Sequence, residues 1–390
     1  QKASSDGDAP AASNGNAPEP ATAESSDSEP EPKKSSAPPA PPEATRLKGV
    51  GAKIVENMEA SLEVPTATSV REVPTKLLEV NRRVLNNYLK RSWGGKVSFT
   101  HLIGYAAIRA IREAVPNMNS SFARDEKGNP MVVRSTDIGL GLAVDLENPD
   151  GSRTLMVPCV KGADAMEFNE FHAAYEELVG KVRSKKLSPD DFSGTTMTLT
   201  NPGTIGTKQS VPRLMAGQGL IMGVGSMTYP VGFSGADADT IAELGLSRVM
   251  TITSTYDHRI IQGAESGLFL KRVHELLMGE HEFYEDVFRS MDVPYSAVQW
   301  RPDITAMNRE DALIEKQMAV NTVINMHRVL GHKIAVLDPL RVKEPAMPAE
   351  LDPATYGLSI WDLDRTFRTA PKRGVYAPVG NQQMMSLGDI

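Results

Sequence analysis

Apolar positions start late in this chain. Residues 1–45 contain no Val, Ile, Leu, Met, Phe, Tyr or Trp. A stretch that buries so little cannot offset the entropy of ordering its backbone, so it reads as a disordered Pro/Ala/Ser/acidic linker, stiffened towards polyproline II by Ala37–Pro42. A 3.6-residue period governs Thr75–Leu89, where Leu77, Leu78, Val84, Leu85, Tyr88 and Leu89 recur, and Ser98–Val115, which Pro116 stops. Asp137–Val144 alternates large apolar residues with glycines, as a strand does where another element comes close. A helix follows over Phe168–Val182, and Ser188-Pro189-Asp190-Asp191 has the form of a capped helix start. Period two then marks Thr195–Thr200, closed by the turn Asn201-Pro202-Gly203, and Gly219–Val224 and Val249–Thr255 read as further strands. From Ala264 the helical repeat returns with Phe269, Val273, Leu276 and Leu277. Past about residue 290 the pattern is mainly helical: Glu310–Leu330 is one long periodic segment, Leu337–Leu340 breaks it, and Thr369–Ile390 has no period. Strands and helices that do not strictly alternate argue for an α/β sandwich with a mixed sheet.

Composition narrows this picture. The 390 residues, 40% of them hydrophobic, have room for two to three domains of roughly 100–200 residues each. The expected division is a linker over 1–45, an α/β domain over 46–288, a helical segment over 289–368 and a tail over 369–390. The one cysteine, Cys159, excludes a disulfide framework, and its strand-like setting favours burial over reactivity. No apolar run approaches the roughly 18 residues that span a bilayer, so no membrane association and a cytoplasmic location are expected. Up to Thr45 there are eight acidic and three basic residues, a balance of −5, which leaves −2 of the net −7 for the rest. That is no basic face for nucleic acid. The chain begins at Gln1 rather than Met, as a fragment or a processed piece would.

Candidate chemistry concentrates in Tyr256–Gly263. His258 falls there in a strand-to-helix turn, where a side chain on rigid backbone can point into a cleft. The chain has seven histidines, and His101, His172, His274 and His281 fit surface or satisfied core positions. His327 and His332 are five apart, too far for an i,i+4 metal pair, and no Cys-x-x-Cys, His-Glu-x-x-His, Gly-x-Ser-x-Gly or P-loop is present. No metal site is expected.

Asp257-His258-Arg259-Ile260-Ile261-Gln262-Gly263 resembles the Asp-His-Arg-x-x-Asp-Gly signature of the 2-oxo acid dehydrogenase acyltransferases, with Gln262 in place of the second Asp. The likeness runs almost continuously from Leu47 to about Gly279. It takes in Leu47-Lys48-Gly49, Ile138–Val144, Leu155-Met156-Val157-Pro158 and Thr198–Gly203. The resemblance implies a chloramphenicol-acetyltransferase-like two-layer sandwich and a homotrimer with active sites between subunits. It implies acyl transfer between the thiols of CoA and dihydrolipoamide, with His258 as general base and Thr200 as oxyanion donor. Asp257, Asn201 and Gln262 are supporting residues. Arg71 is the candidate partner for the brace at residue 262, unless it is merely solvated beside Glu72. A histidine of ordinary pKa, about 6.5, is suited to taking the proton of a thiol near about 8.5. No lipoyl domain is visible, so the acyl group would arrive on the lipoyl domain of another protein.

Beyond residue 300, Ile324–His332, Leu337–Leu340 and Tyr356–Arg365 resemble the start of the thiamine-dependent 2-oxoglutarate dehydrogenase component. An acyltransferase domain fused ahead of that component is the arrangement of the actinobacterial multifunctional 2-oxoglutarate enzymes, in which the acyl group is succinyl. The resemblance implies work within a complex containing dihydrolipoamide dehydrogenase. Thiamine diphosphate and magnesium would be needed only by a full-length fusion. Two classes of function stay open: a succinyltransferase, favoured by His258, Thr200 and Asn201, and a trimerising scaffold, favoured by Gln262.

Overall fold

The computed structural model describes residues 49–92, 94–147, 151, 153–215, 217–303, 309–335, 347–370 and 377–390. The linker expected over 1–45 and the break expected at Leu337–Leu340 lie outside them. In chain order the elements are α1 (Val50–Ser61), β1 (Thr66–Pro74), α2 (Lys76–Arg91), α3 (Phe99–Ala114), β2 (Ser120–Arg124), β3 (Pro130–Arg134), β4 (Leu140–Leu142), β5 (Val144–Glu147), β6 (Arg153–Met156) and β7 (Cys159–Val160). They continue with α4 (Phe168–Arg183), β8 (Met197–Thr200), β9 (Leu220–Val224), α5 (Ala238–Leu244), β10 (Val249–Asp257), α6 (Gly263–Leu277), α7 (Phe283–Ser290), α8 (Arg309–Leu330), β11 (Thr366–Arg368) and β12 (Met384–Ser386).

One six-stranded sheet, in the order β1-β10-β9-β8-β4-β7, carries the architecture. It is mixed, as expected: β8 runs parallel to both β9 and β4, whereas β10 is antiparallel to β9 and to β1. Helices α3 and α6 form the second layer and pack on each other, with Leu102, Ile103, Ala106, Ala110 and Ile111 of one helix and Phe269, Leu270, Val273, Leu276 and Leu277 of the other all buried. Gly104 is what brings α3 so close, since a methyl there would stand 3.3 Å from the Leu199 side chain and 3.5 Å from that of Leu140. These apolar faces match the period read from the sequence.

The cap of α3 fixes a buried histidine. Ser98 Oγ accepts the His101 N–H and His101 Nδ1 accepts the Ser98 N–H, each at 3.2 Å, an exchange that normally uses Glu or Gln at the third position. Burial, followed by the neighbouring His172 and Arg82, pushes the His101 pKa down to about 3. Its Nε2 lies 3.1 Å from a Glu176 carboxylate oxygen. That is an ion-pair distance, but the imidazole is neutral, because protonating Nδ1 would set two donors face to face. Glu176 is 48% exposed, so water screens the pull it could exert on a proton.

Three elements differ from expectation. The strand expected over Asp137–Val144 is only β4; the chain then leaves the sheet, and β5 pairs with β6 in a separate ribbon. Ser188 begins a single 3-10 turn, Pro189–Phe192, in which Asp191 accepts the Ser188 N–H at 2.7 Å. The stretch expected to close the chain as a tail contains β12, which pairs with β11 and buries Leu387 against Val320, Ile324 and Phe367. Among the described residues no helix is long and apolar enough to cross a membrane.

Candidate active site

Strand β10 delivers the histidine turn. Residues 252–257 are buried without a break, and the antiparallel pairing of β10 with both β1 and β9 makes it rigid. The chain emerges at His258, which is exposed; its backbone N–H is donated to Pro65 O at 3.0 Å and its ring centroid lies 5.4 Å from that of Tyr256. Asp257 does not face the imidazole. It is 2% exposed and grips Arg259 with a fork, Nε to Oδ1 at 2.9 Å and Nη2 to Oδ2 at 2.6 Å. The hydrogen bonds it donates to Asp257 hold the guanidinium above its ordinary pKa, and that guanidinium lies 3.8 Å over the Phe122 ring.

Gln262 closes the turn as the N-cap of α6, and the Glu265 carboxylate accepts its backbone N–H at 2.7 Å. Glu265 is held in turn by Asn117 Nδ2 at 2.8 Å, and the same amide reaches Ile260 O at 3.3 Å. Arg71 is elsewhere. From β1 it donates Nε to His274 Nδ1 at 3.2 Å, which ties the strand to the far part of α6. Burial first, and then Arg71, lower the His274 pKa. Among the described residues no hydrogen bond joins Arg71 to Gln262.

Thr200 ends β8 half-buried, and Asn201 beside it donates Nδ2 to Thr100 Oγ1 on α3 at 2.9 Å. Thr200 is level with Gly223 of β9, and Gly223 with Thr253 of β10. A methyl on Gly223 would come 2.5 Å from Thr253 Oγ1, so this row of strands tolerates no side chain there. Because β10 runs against β8, its carboxyl end lies at the opposite edge: Asp257 is four residues beyond Thr253. Four residues at about 3.3 Å and two strand spacings at about 4.8 Å put Thr200 about 16 Å from Asp257 in the same chain. Structure thus gathers Asp257, His258 and Gln262 in one turn, Thr200 and Asn201 in another, and keeps the two apart.

His101, His172 and Glu176 are close enough to share a cation. A ligating imidazole donates its second N–H to a neighbour, yet His101 Nδ1 accepts one, so its Nε2 keeps a proton and offers no lone pair. Asn117, Phe122 and Glu265 are absent from the sequence reading. Glu265, three residues after the cap, had a legible capping spacing; the other two had none.

A family model, 2-oxoacid dehydrogenases acyltransferase (catalytic domain), matches residues 39–283. The chain belongs to this family. The expected family and fold are thereby borne out, and the acyltransferase match takes in every residue of both turns. Multifunctional 2-oxoglutarate metabolism enzymes of Mycobacterium sp. (strain JLS) and Mycolicibacterium vanbaalenii are 51% identical over 324 residues and 50% identical over 328. The alignments cover 83% and 84% of this chain but 25% and 26% of those proteins, so the chain spans about a quarter of the length of the curated relatives it matches. The acyltransferase fold also appears in solved structures. The cubic core of the pyruvate dehydrogenase multienzyme complex is 27% identical with a TM-score of 0.52, over 64% of this chain and 96% of that one. The dihydrolipoamide acetyltransferase of Azotobacter vinelandii is 25% identical with a TM-score of 0.52, over 67% and 99%. That structure was solved to examine a serine, a histidine and, four residues beyond it, an asparagine in the enzyme's catalytic mechanism.

Proposed function

We propose that this acyltransferase moves a succinyl group between dihydrolipoamide and CoA, with His258 as general base and Thr200 as oxyanion donor. The observation that carries the reading is His258 itself: an exposed imidazole on a turn whose backbone is hydrogen-bonded to Pro65, Asp257 and Asn117. His258 takes the proton from the attacking thiol, and the thiolate sulfur bonds to the thioester carbonyl carbon. The carbonyl oxygen becomes an oxyanion facing the Thr200 hydroxyl. Collapse breaks the old C–S bond, and the departing thiolate recovers the proton from the imidazolium. With about 16 Å between the two turns in one chain, the Thr200 that serves a given His258 comes from a neighbouring subunit, which supports a homotrimer with shared sites.

Gln262 does not argue against catalysis. In the Azotobacter enzyme an asparagine, also an amide, stands at the same spacing from a histidine under mechanistic study. Succinyl as the acyl group rests on the 2-oxoglutarate enzymes that match most of this chain. Residues 46–288 are proposed as the catalytic domain. Residues 289–368 are proposed as the start of the thiamine-dependent component, whose diphosphate and magnesium would serve the longer protein. A lipoyl domain of another protein, within a cytoplasmic complex containing dihydrolipoamide dehydrogenase, would present the acyl group. The test is CoA release from succinyl-CoA and dihydrolipoamide by wild type and by His258→Ala. Equal rates at the uncatalysed background would sink the enzyme and leave the scaffold reading.

A further inference from the structure

The turn that carries His258 is clamped from outside by the segment between α3 and β3. Met118, Asn119 and Ser120 of that segment are buried, Asn119 Nδ2 holds Ser135 O and Asp137 O, and Ser120 O packs so close to Gly219 that a methyl there would collide with it. From this fixed base two side chains reach the histidine turn on either side. Asn117 holds Ile260 O and the Glu265 carboxylate that caps α6 at Gln262. Phe122 lays its ring under Arg259, whose fork with Asp257 locks the residues immediately before and after His258. Neither contact passes through the side chain of residue 262.

We infer that Asn117 and Phe122 are positioning residues for His258, acting through Ile260, Glu265 and Arg259, and that they hold the turn in place of a charge at residue 262. This rests on the reading of His258 as the general base. The face of Phe122 matters rather than its bulk, because a guanidinium is drawn to an aromatic quadrupole and not to an aliphatic side chain. Displacing a base by a fraction of an ångström lowers the rate of the chemical step without weakening the hold on either substrate.

Steady-state acyl transfer is measured on the purified full chain, alongside thermal unfolding, for Phe122→Leu, Phe122→Tyr, Asn117→Ala and His258→Ala. Phe122→Leu should lower kcat about fivefold and Asn117→Ala about tenfold, with KM for succinyl-CoA and for dihydrolipoamide within about twofold of wild type. Phe122→Tyr, which keeps the ring face, should recover most of the rate lost in Phe122→Leu. If Asn117→Ala does not fold, the Phe122 pair decides. Activity lost in His258→Ala but kcat within about twofold of wild type in Phe122→Leu and Asn117→Ala would overturn the clamp alone. So would equal losses in the Leu and Tyr variants. Wild-type rates in His258→Ala would remove the general base and the clamp together.

Discussion

Two inactive variants of this chain should restore each other. His258→Ala removes the proposed base and Thr200→Val the proposed oxyanion donor; the expected losses are on the order of 10²–10⁴ and 10²–10³ in rate. In one chain the backbones of the two turns are about 16 Å apart, whereas a base about 3 Å from the attacking sulfur and a hydroxyl about 3 Å from the oxyanion must flank one thioester, so on the proposed roles a working site draws its base and its hydroxyl from different chains. In a cyclic trimer that contains both variants, whichever is in excess, one of the three interfaces joins an intact His258 to an intact Thr200. Assemblies purified through two different tags, one on each variant, should therefore run at about a third of the wild-type rate, against a per cent or less for either parent. The assay is CoA release from succinyl-CoA with dihydrolipoamide. Doubly tagged assemblies no faster than the average of their parents would refute the shared site and require the two turns to meet within one chain.

Stability should report on three other features. His101 stays neutral in the folded protein down to a pKa of about 3, while the unfolded chain takes up the proton near about pH 6.5. Its contribution is therefore whole above that pH and shrinks as pH falls, by about 2 kcal/mol at pH 5. Urea unfolding at pH 7.5 and 5 should show a loss smaller by that amount in His101→Gln, and identical losses would count against the buried neutral ring. Asp362 is fully buried and binds Lys316 Nζ at 2.6 Å and Arg365 Nη1 at 2.8 Å; Asp362→Ala should cost about 3 kcal/mol or more by stranding Lys316, and a change below about 1 kcal/mol would mean that water reaches the pair. Gly223→Ala should push the Thr253 hydroxyl off Ser210 O, which it now meets at 3.0 Å. A cost of about 1–3 kcal/mol is expected, and an unchanged midpoint of unfolding would show that the strands can spread.

What could be read from the residues alone follows physical range. The long helices α2, α3, α4, α6 and α8 were legible because their apolar residues lie on one face at fixed local spacing, and Ser98 and Pro116 mark the ends of α3 as their chemistry requires; the short α5 and α7 were not. The histidine turn was legible as a motif, with Thr200 and Asn201 as a second one. The join between β4 and β5 was not, because the alternation continues through Ala143 while the backbone changes sheets. β12 was missed because its three residues carry no period of their own and pair with a strand known only once folded. Arg71 illustrates the same limit: its partner, His274, lies 203 residues away. Asn117 and Phe122 act across similar distances on the turn, and nothing local marks an asparagine or a phenylalanine for that task.

Strand direction in the central sheet also sets a kinetic order. If His258 and Thr200 act as proposed, a lone chain carries two half-sites and no whole one, so the rate per chain should fall on dilution below the dissociation constant of the assembly, and the rate law should exceed first order in protein there. Newly made chains would pass through a silent stage, inert toward the thioesters around them until they meet their partners. Turnover by this fold is then a readout of encounter between subunits as much as of chemistry.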